Sequence, residues 1–186
     1  IPEITIGIIG VGRIGQRVLR CLSSFGIPSI LVNDLNPDDR LIPHTKLVWT
    51  DKEEIYKQAD IISLHLPLTK HTKNMIRAEH IALMKPDAIL INTARGGIIN
   101  EFDLANALNA GHLDGAAIDV FEHEPYTGPL VDIERCILTS HMGSMTVDCR
   151  TRMEIEATEE AVRFLRGLSL EREVPEEEYK FQKGDL

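Results

Sequence analysis

Three residues of the kinds that bind and move charge each follow a β-branched apolar run: Arg95 after Ile89-Leu90-Ile91-Asn92-Thr93-Ala94, Glu124 after Ile118-Asp119-Val120-Phe121, and His141 after Ile137-Leu138-Thr139-Ser140. A guanidinium binds a substrate carboxylate through two parallel hydrogen bonds. An imidazole takes or returns a hydroxyl proton near neutral pH, and a carboxylate orients that imidazole and favours its protonated form. Together they suit hydride chemistry on a hydroxy acid. Singly, each has a plainer reading: Arg95 as a surface charge, Glu124 before Pro125 as a loop acid, His141 as a core or helix-capping histidine. Their common placement just past strand ends favours the set, because residues there converge in a doubly wound sheet.

A second pattern concerns phosphate. Gly10-Val11-Gly12-Arg13-Ile14-Gly15 fits G-x-G-x-x-G, in which the glycines serve a tight turn, close approach of the backbone to a pyrophosphate, and close helix-to-strand packing. The motif follows a strand-like run and opens a helical one, whose N-terminus is an anion site. Asp34 lies 19 residues beyond Gly15, at the end of the next strand, where an acid accepts hydrogen bonds from the ribose hydroxyls of NAD and repels the 2′-phosphate of NADP. The competing reading of Asp34 is a turn residue, since Asn33-Asp34-Leu35-Asn36-Pro37 is rich in turn formers.

The elements that must carry these residues alternate. Strands are predicted at Ile4–Ile9, Ile30–Val32, Asp60–His65, Ala88–Asn92, Gly115–Val120 and Cys136–Thr139. Helices are predicted at Arg13–Ser24, Lys52–Ala59, Glu79–Met84 and Glu101–Ala110, the last closed by Gly111. A longer helix runs from Thr146 to Leu165, with Met153, Ala157, Ala161, Phe164 and Leu165 on its apolar side and Gly167 at its end. Strands apolar on both faces and separated by helices mean an α/β fold, a Rossmann-type doubly wound parallel sheet with helices on both faces. Residues 1–168 form this domain. The tail 169–186, with six acids and three bases from Glu171 onward, has no period of its own and is expected to pack loosely.

Composition narrows the function classes. A chain of 186 residues with 43% hydrophobic and 26% charged residues suits one soluble globular domain, and no apolar run approaches the ~20 residues of a membrane span. A net charge of −9 opposes nonspecific binding to nucleic acid. Cys21, Cys136 and Cys149 are odd in number and widely spaced, so they suggest neither disulfides nor a metal site, and buried or half-buried thiols are expected. The N-terminus runs straight into a strand with no signal-peptide pattern, and the expected compartment is the cytoplasm.

Gly7-Ile8-Ile9-Gly10-Val11-Gly12-Arg13-Ile14-Gly15, His65-Leu66-Pro67-Leu68-Thr69, Ile91-Asn92-Thr93-Ala94-Arg95-Gly96, Asp119-Val120-Phe121-Glu122-His123-Glu124-Pro125 and His141-Met142-Gly143-Ser144, in that order, resemble the D-2-hydroxyacid dehydrogenase family over about residues 4 to 167. The resemblance implies an NAD-dependent oxidoreductase acting between a 2-hydroxy acid and its 2-keto acid, with Arg95, Glu124 and His141 as its catalytic residues. It implies that His65, Leu66, Pro67 and Thr72 line the cofactor cleft, that Thr93 and Ala94 lie near the nicotinamide, that Asp119 contacts the carboxamide, and that Gly143 borders the cofactor beside Arg95 and His141. It also implies a homodimer. Ser140 departs from the family, which commonly has proline there. The family usually places a substrate domain before and after the cofactor domain, so the leading part is expected to be absent and this domain to bind NAD but turn over poorly. Some family members are NADH-sensing corepressors, an alternative that a peptide-binding groove in the substrate domain would distinguish.

Overall fold

The computed structural model describes residues 4–27, 30–38 and 47–173. Among these residues, seven strands, β1 (Ile6–Ile9), β2 (Ile30–Asn33), β3 (Leu47–Trp49), β4 (Ile61–Leu64), β5 (Ile89–Asn92), β6 (Gly115–Ile118) and β7 (Cys136–Leu138), form one sheet in the order β3-β2-β1-β4-β5-β6-β7. Every pairing is parallel, with Ile8 beside Val32 on one side and Ser63 on the other. The direction of winding reverses between β1 and β4. The crevice outside the carboxyl ends of those two strands is where open α/β sheets bind ligands.

Among the described residues, five α-helices accompany the sheet: α1 (Arg13–Leu22), α2 (Lys52–Gln58), α3 (Ala78–Ile81), α4 (Glu101–Asn109) and α5 (Val147–Leu165). Their starts follow from local chemistry, since Asp51, Asn100 and Thr146 each accept a backbone N–H of the first turn on α2, α4 and α5. Gly111 and Gly167, both left-handed, close α4 and α5 as the sequence predicts.

Parallel crossovers are right-handed, so connections running toward the β3 edge put their helix on one face and those running toward the β7 edge use the other. Accordingly α1 packs Val18, Leu19 and Leu22 with Ile6, Ile8, Ile30 and Val32. The opposite face carries the larger core, where Ile55 and Tyr56 of α2, Ile81 of α3 and Leu104 and Leu108 of α4 cover Ile9, Leu31, Ile62, Leu64, Leu90 and Ile118. On the α1 side of β5 to β7, Ile89, Ile91 and Ala117 are half-buried, and Ile137 is 68% exposed.

Three sequence expectations change. β3 was not foreseen, because three residues cannot display a period. The apolar side of α5 is present in sequence but buries nothing among the described residues, and Phe164 and Leu165 are exposed. Cys21 is exposed, whereas Cys136 and Cys149 are half-buried as expected. Of the acidic tail, residues up to 173 turn back onto α5, where the Glu171 and Arg172 N–H groups donate to Glu160 and the Arg172 guanidinium pairs with Glu156 and Glu159. The expected loose packing of the rest of the tail falls on 174–186, outside the described residues.

Candidate active site

The turn between β1 and α1 owes its shape to the three glycines. Gly10 has φ +96°, and a Cβ on it would stand 2.5 Å from the His65 carbonyl oxygen. A Cβ on Gly15 would overlap the Gly10 carbonyl oxygen, so α1 lies against the turn only because both residues lack side chains. Gly12, the N-cap of α1, faces open space and, having no side chain, makes no side-chain cap of that helix end. Its first N–H groups therefore face the crevice, the arrangement that receives a pyrophosphate. Arg13 and Ile14 begin the helix as exposed residues.

Asp34, just past β2, is half-buried, and its carboxylate accepts the Val11 N–H at 2.6 Å and the Asn36 N–H at 3.0 Å. It thus braces the glycine turn and the start of its own loop while standing at the crevice edge. Across the crevice, the loop after β4 begins with His65, whose Nε2 is 3.0 Å from Ser63 Oγ and whose buried Nδ1 meets no partner among the described residues. Burial lowers its pKa, so the ring is neutral near pH 7. Leu66 is half-buried and Pro67 exposed. Thr72 is a brace of this loop, its hydroxyl donating to the Pro67 carbonyl at 2.6 Å and accepting the Thr69 N–H at 2.8 Å.

At the far end of the sheet, His141 and Glu124 meet, with Nδ1 of the imidazole 3.1 Å from Glu124 Oε2. Both are partly exposed, at 49% and 39% of the side chain. The Phe121 N–H at 3.1 Å and the imidazole hold the Glu124 carboxyl below the usual carboxylate range. His141 has φ +51°, a left-handed conformation that costs a non-glycine residue on the order of 1 kcal/mol or more. Arg95 and Thr93 are exposed and Ala94 half-buried; the Arg95 guanidinium donates to the Ala94 carbonyl at 2.6 Å and makes no ion pair among the described residues. Its turn is fixed to the Glu124 loop because Gly96 lies against the Phe121 carbonyl, where a Cβ would overlap.

Asp119 is 9% exposed. Its carboxylate accepts the Thr139 hydroxyl at 2.5 Å and the Met142 N–H at 2.9 Å. Burial alone would raise its pKa, but these donors and the Gly143 N–H outweigh burial and lower it. Asn92, also buried, is a residue that sequence reasoning left inside a strand; its side chain accepts the Ala94 N–H at 3.0 Å and donates to the Arg95 carbonyl at 2.9 Å. An amide two residues before a turn was the available signal.

The residues predicted from sequence therefore fall in two groups: Gly10, Gly12, Gly15, Asp34 and His65 around the crevice, and Arg95, Asp119, Glu124 and His141 with their turns at adjoining strand ends. The glycine cradle and the uncapped helix end fit a dinucleotide. No helix among the described residues is long and apolar enough to cross a membrane.

The family profile described as D-isomer specific 2-hydroxyacid dehydrogenase, NAD binding domain, matches residues 1–143. A glyoxylate reductase of Thermofilum pendens is 39% identical over 174 residues, which cover 89% of this chain and 50% of the relative. A D-3-phosphoglycerate dehydrogenase of Bacillus subtilis is 39% identical over 168 residues, covering 88% of this chain and 31% of that one. Among solved structures, D-lactate dehydrogenase from Aquifex aeolicus, complexed with NAD and lactic acid, superposes with a TM-score of 0.82 at 33% identity, covering 89% of this chain and 54% of that chain. The chain thus spans half or less of the length of these curated relatives. It belongs to the D-isomer-specific 2-hydroxyacid dehydrogenase family, as that family's NAD-binding domain.

Proposed function

We propose that this chain forms the cofactor-binding and proton-transferring part of an enzyme that interconverts a D-2-hydroxy acid and its 2-keto acid. NAD supplies the hydride acceptor, and its reduced form the donor. Gly10, Gly12, Gly15 and the first turn of α1, with Arg13 and Ile14, receive the pyrophosphate. Asp34 takes the ribose hydroxyls, and His65, Leu66, Pro67, Thr72, Thr93, Ala94, Asp119 and Gly143 line the rest of the cleft. Arg95 binds the substrate carboxylate. His141 holds the transferable proton on Nε2, taking it from the hydroxyl in oxidation and returning it to the carbonyl oxygen in reduction, while Glu124 fixes the ring through Nδ1.

The observation that carries this reading is the 3.1 Å contact between His141 Nδ1 and Glu124, which leaves the other ring nitrogen for a substrate. An NADH-oxidation screen of the full-length gene product against a panel of 2-keto acids tests it. His141→Ala should lower turnover by ~10² to 10⁴ and leave NADH affinity nearly unchanged. Turnover within a few-fold of the parent would reduce His141 to a structural residue.

The same reading takes residues 1–168 as the cofactor-binding unit and the protein as a cytoplasmic two-fold homodimer. The three free thiols suit a reducing compartment, and two-fold closure is the commonest symmetry. Sedimentation decides the dimer: a single monomeric species at micromolar concentration would refute it.

A further inference from the structure

The turns that carry Arg95 and His141 are each tied to a buried polar side chain at a strand end, and the two residues that bear these side chains are joined through their backbones. Asn92 ends β5 and is 2% exposed. Its amide closes the Thr93–Arg95 turn from both sides, accepting from Ala94 and donating to the Arg95 carbonyl. Asp119 follows β6 at the neighbouring position, and its N–H donates to the Asn92 carbonyl at 3.0 Å. The Asp119 carbonyl accepts the His141 N–H at 2.8 Å, and its carboxylate takes Thr139 on one side of the histidine and Met142 on the other. Every polar group of Asp119 is thus engaged, and the segment it grips holds His141 at a positive φ that an unclamped chain would leave. Ser140 leaves its own φ free, so the grip comes from Asp119.

We propose that Asn92 and Asp119 are positioning residues, a coupled pair of clamps that sets the separation of the Arg95 guanidinium from the His141 imidazole. This rests on the reading of Arg95 and His141 given above. Asp119 acts through the histidine it positions and Asn92 through the arginine, so each has its own kinetic signature. A misplaced imidazole slows proton transfer in the saturated enzyme, whereas a misplaced guanidinium weakens capture of the substrate carboxylate. The same carboxylate would leave a different signature if its only task were to hold the nicotinamide carboxamide: weaker binding of NADH with kcat retained.

The test uses the full-length gene product with a 2-keto acid substrate, measuring kcat, KM and the NADH dissociation constant. Asp119→Asn keeps the size but turns an NH₂ toward the N–H groups it now accepts, and kcat should fall ~10-fold to 100-fold, the scale of a small misplacement of a reacting group. Asn92→Asp keeps the acceptor for Ala94 and loses the donor to Arg95; KM for the keto acid should rise several-fold with kcat little changed. The deciding measurement is a double-mutant cycle: in a His141→Ala background, Asp119→Asn should cost no more than ~2-fold further, because the residue it positions is gone. Should Asp119→Asn fail to fold, Thr139→Val, which removes a single donor, should lower kcat ~3-fold to 10-fold with the same non-additivity. Fully multiplicative effects would overturn the proposal. So would a tenfold weaker grip on NADH with kcat retained, which limits Asp119 to its place in the cofactor cleft. If Arg95→Ala and His141→Ala are themselves nearly silent, it is the functional reading that fails; if they are damaging and the clamp variants are silent, the clamp alone fails.

Discussion

The glycine turn after β1 and the histidine turn after β7 both place backbone N–H groups at a strand end, and they do so by opposite means. The first is shaped by missing atoms: Gly10 and Gly15 stand so close to the His65 and Gly10 carbonyls that no side chain fits. The second is shaped by an added group, the Asp119 carboxylate, which gathers a hydroxyl and two N–H donors around His141. Steric fit does not depend on pH but tolerates no extra carbon. A charged clamp tolerates added atoms around it and depends on its ionisation. On the proposed reading, a cofactor's phosphates need a constant surface, whereas a proton-transferring group needs a fixed electrostatic setting, and the two turns divide along that line.

The largest effect is expected where an atom is added to the first turn. Gly15→Ala drives a methyl into the Gly10 carbonyl and should cost about 3 kcal/mol or more, with NAD binding lost, as thermal unfolding and calorimetry would show. An unfolding midpoint within a degree or two of the parent would remove the steric account of this turn. Next comes Asp34, the point at which the glycine turn leans on a carboxylate. Asp34→Ala should narrow the preference for NAD over NADP by roughly tenfold, the worth of about one charge-assisted hydrogen bond. Calorimetry with both cofactors checks it, and equal binding of the two by the parent would sink the assignment.

Acid should act on the second turn more than on the first. The folded-state pKa of Asp119 lies below its ordinary value of 3.8, so the stability it contributes is complete above that value and is lost as pH falls through the lowered one. The gap in melting temperature between the parent and Asp119→Asn should therefore be constant well above 3.8 and narrow as the pH falls below that value. A gap that persists undiminished into acid would mean that the carboxylate's charge is not what holds the turn. The smallest effect is expected from Gly143→Ala. That residue sits in the histidine turn, but a Cβ there meets nothing within 4 Å, so thermal stability should stay within about 0.5 kcal/mol of the parent. A loss comparable to that of Gly15→Ala would erase the contrast between the two turns.

Much of this was legible because it is local. Strand, glycine turn and helix follow one another within residues 6–22, and each glycine's task is set by neighbours in the chain or by the adjoining strand. The strands at Ile30, Ile61, Ile89, Gly115 and Cys136 were legible for the same reason, as β-branched or small apolar runs too short for helices. What escaped was either too short for a pattern, as with Leu47–Trp49, or dependent on what lies opposite. Asn92 looked like one more strand residue until its amide was seen to close a turn, and the apolar side of α5 predicted burial that no described residue supplies.

The sequence by itself determined the α/β alternation, the glycine turn and the three polar residues past strand ends, because periodicity, backbone sterics and strand termini are written in consecutive residues. Only the tertiary structure decided that Glu124 faces His141 across 17 residues of chain, that Asp119 grips the turn 23 residues away, and that Gly96 seats the Arg95 turn against Phe121. Those contacts depend on strand order and register, which bring β5, β6 and β7 side by side through parallel hydrogen bonding. No spacing along the chain encodes which donor will meet which carboxylate once the strands are aligned.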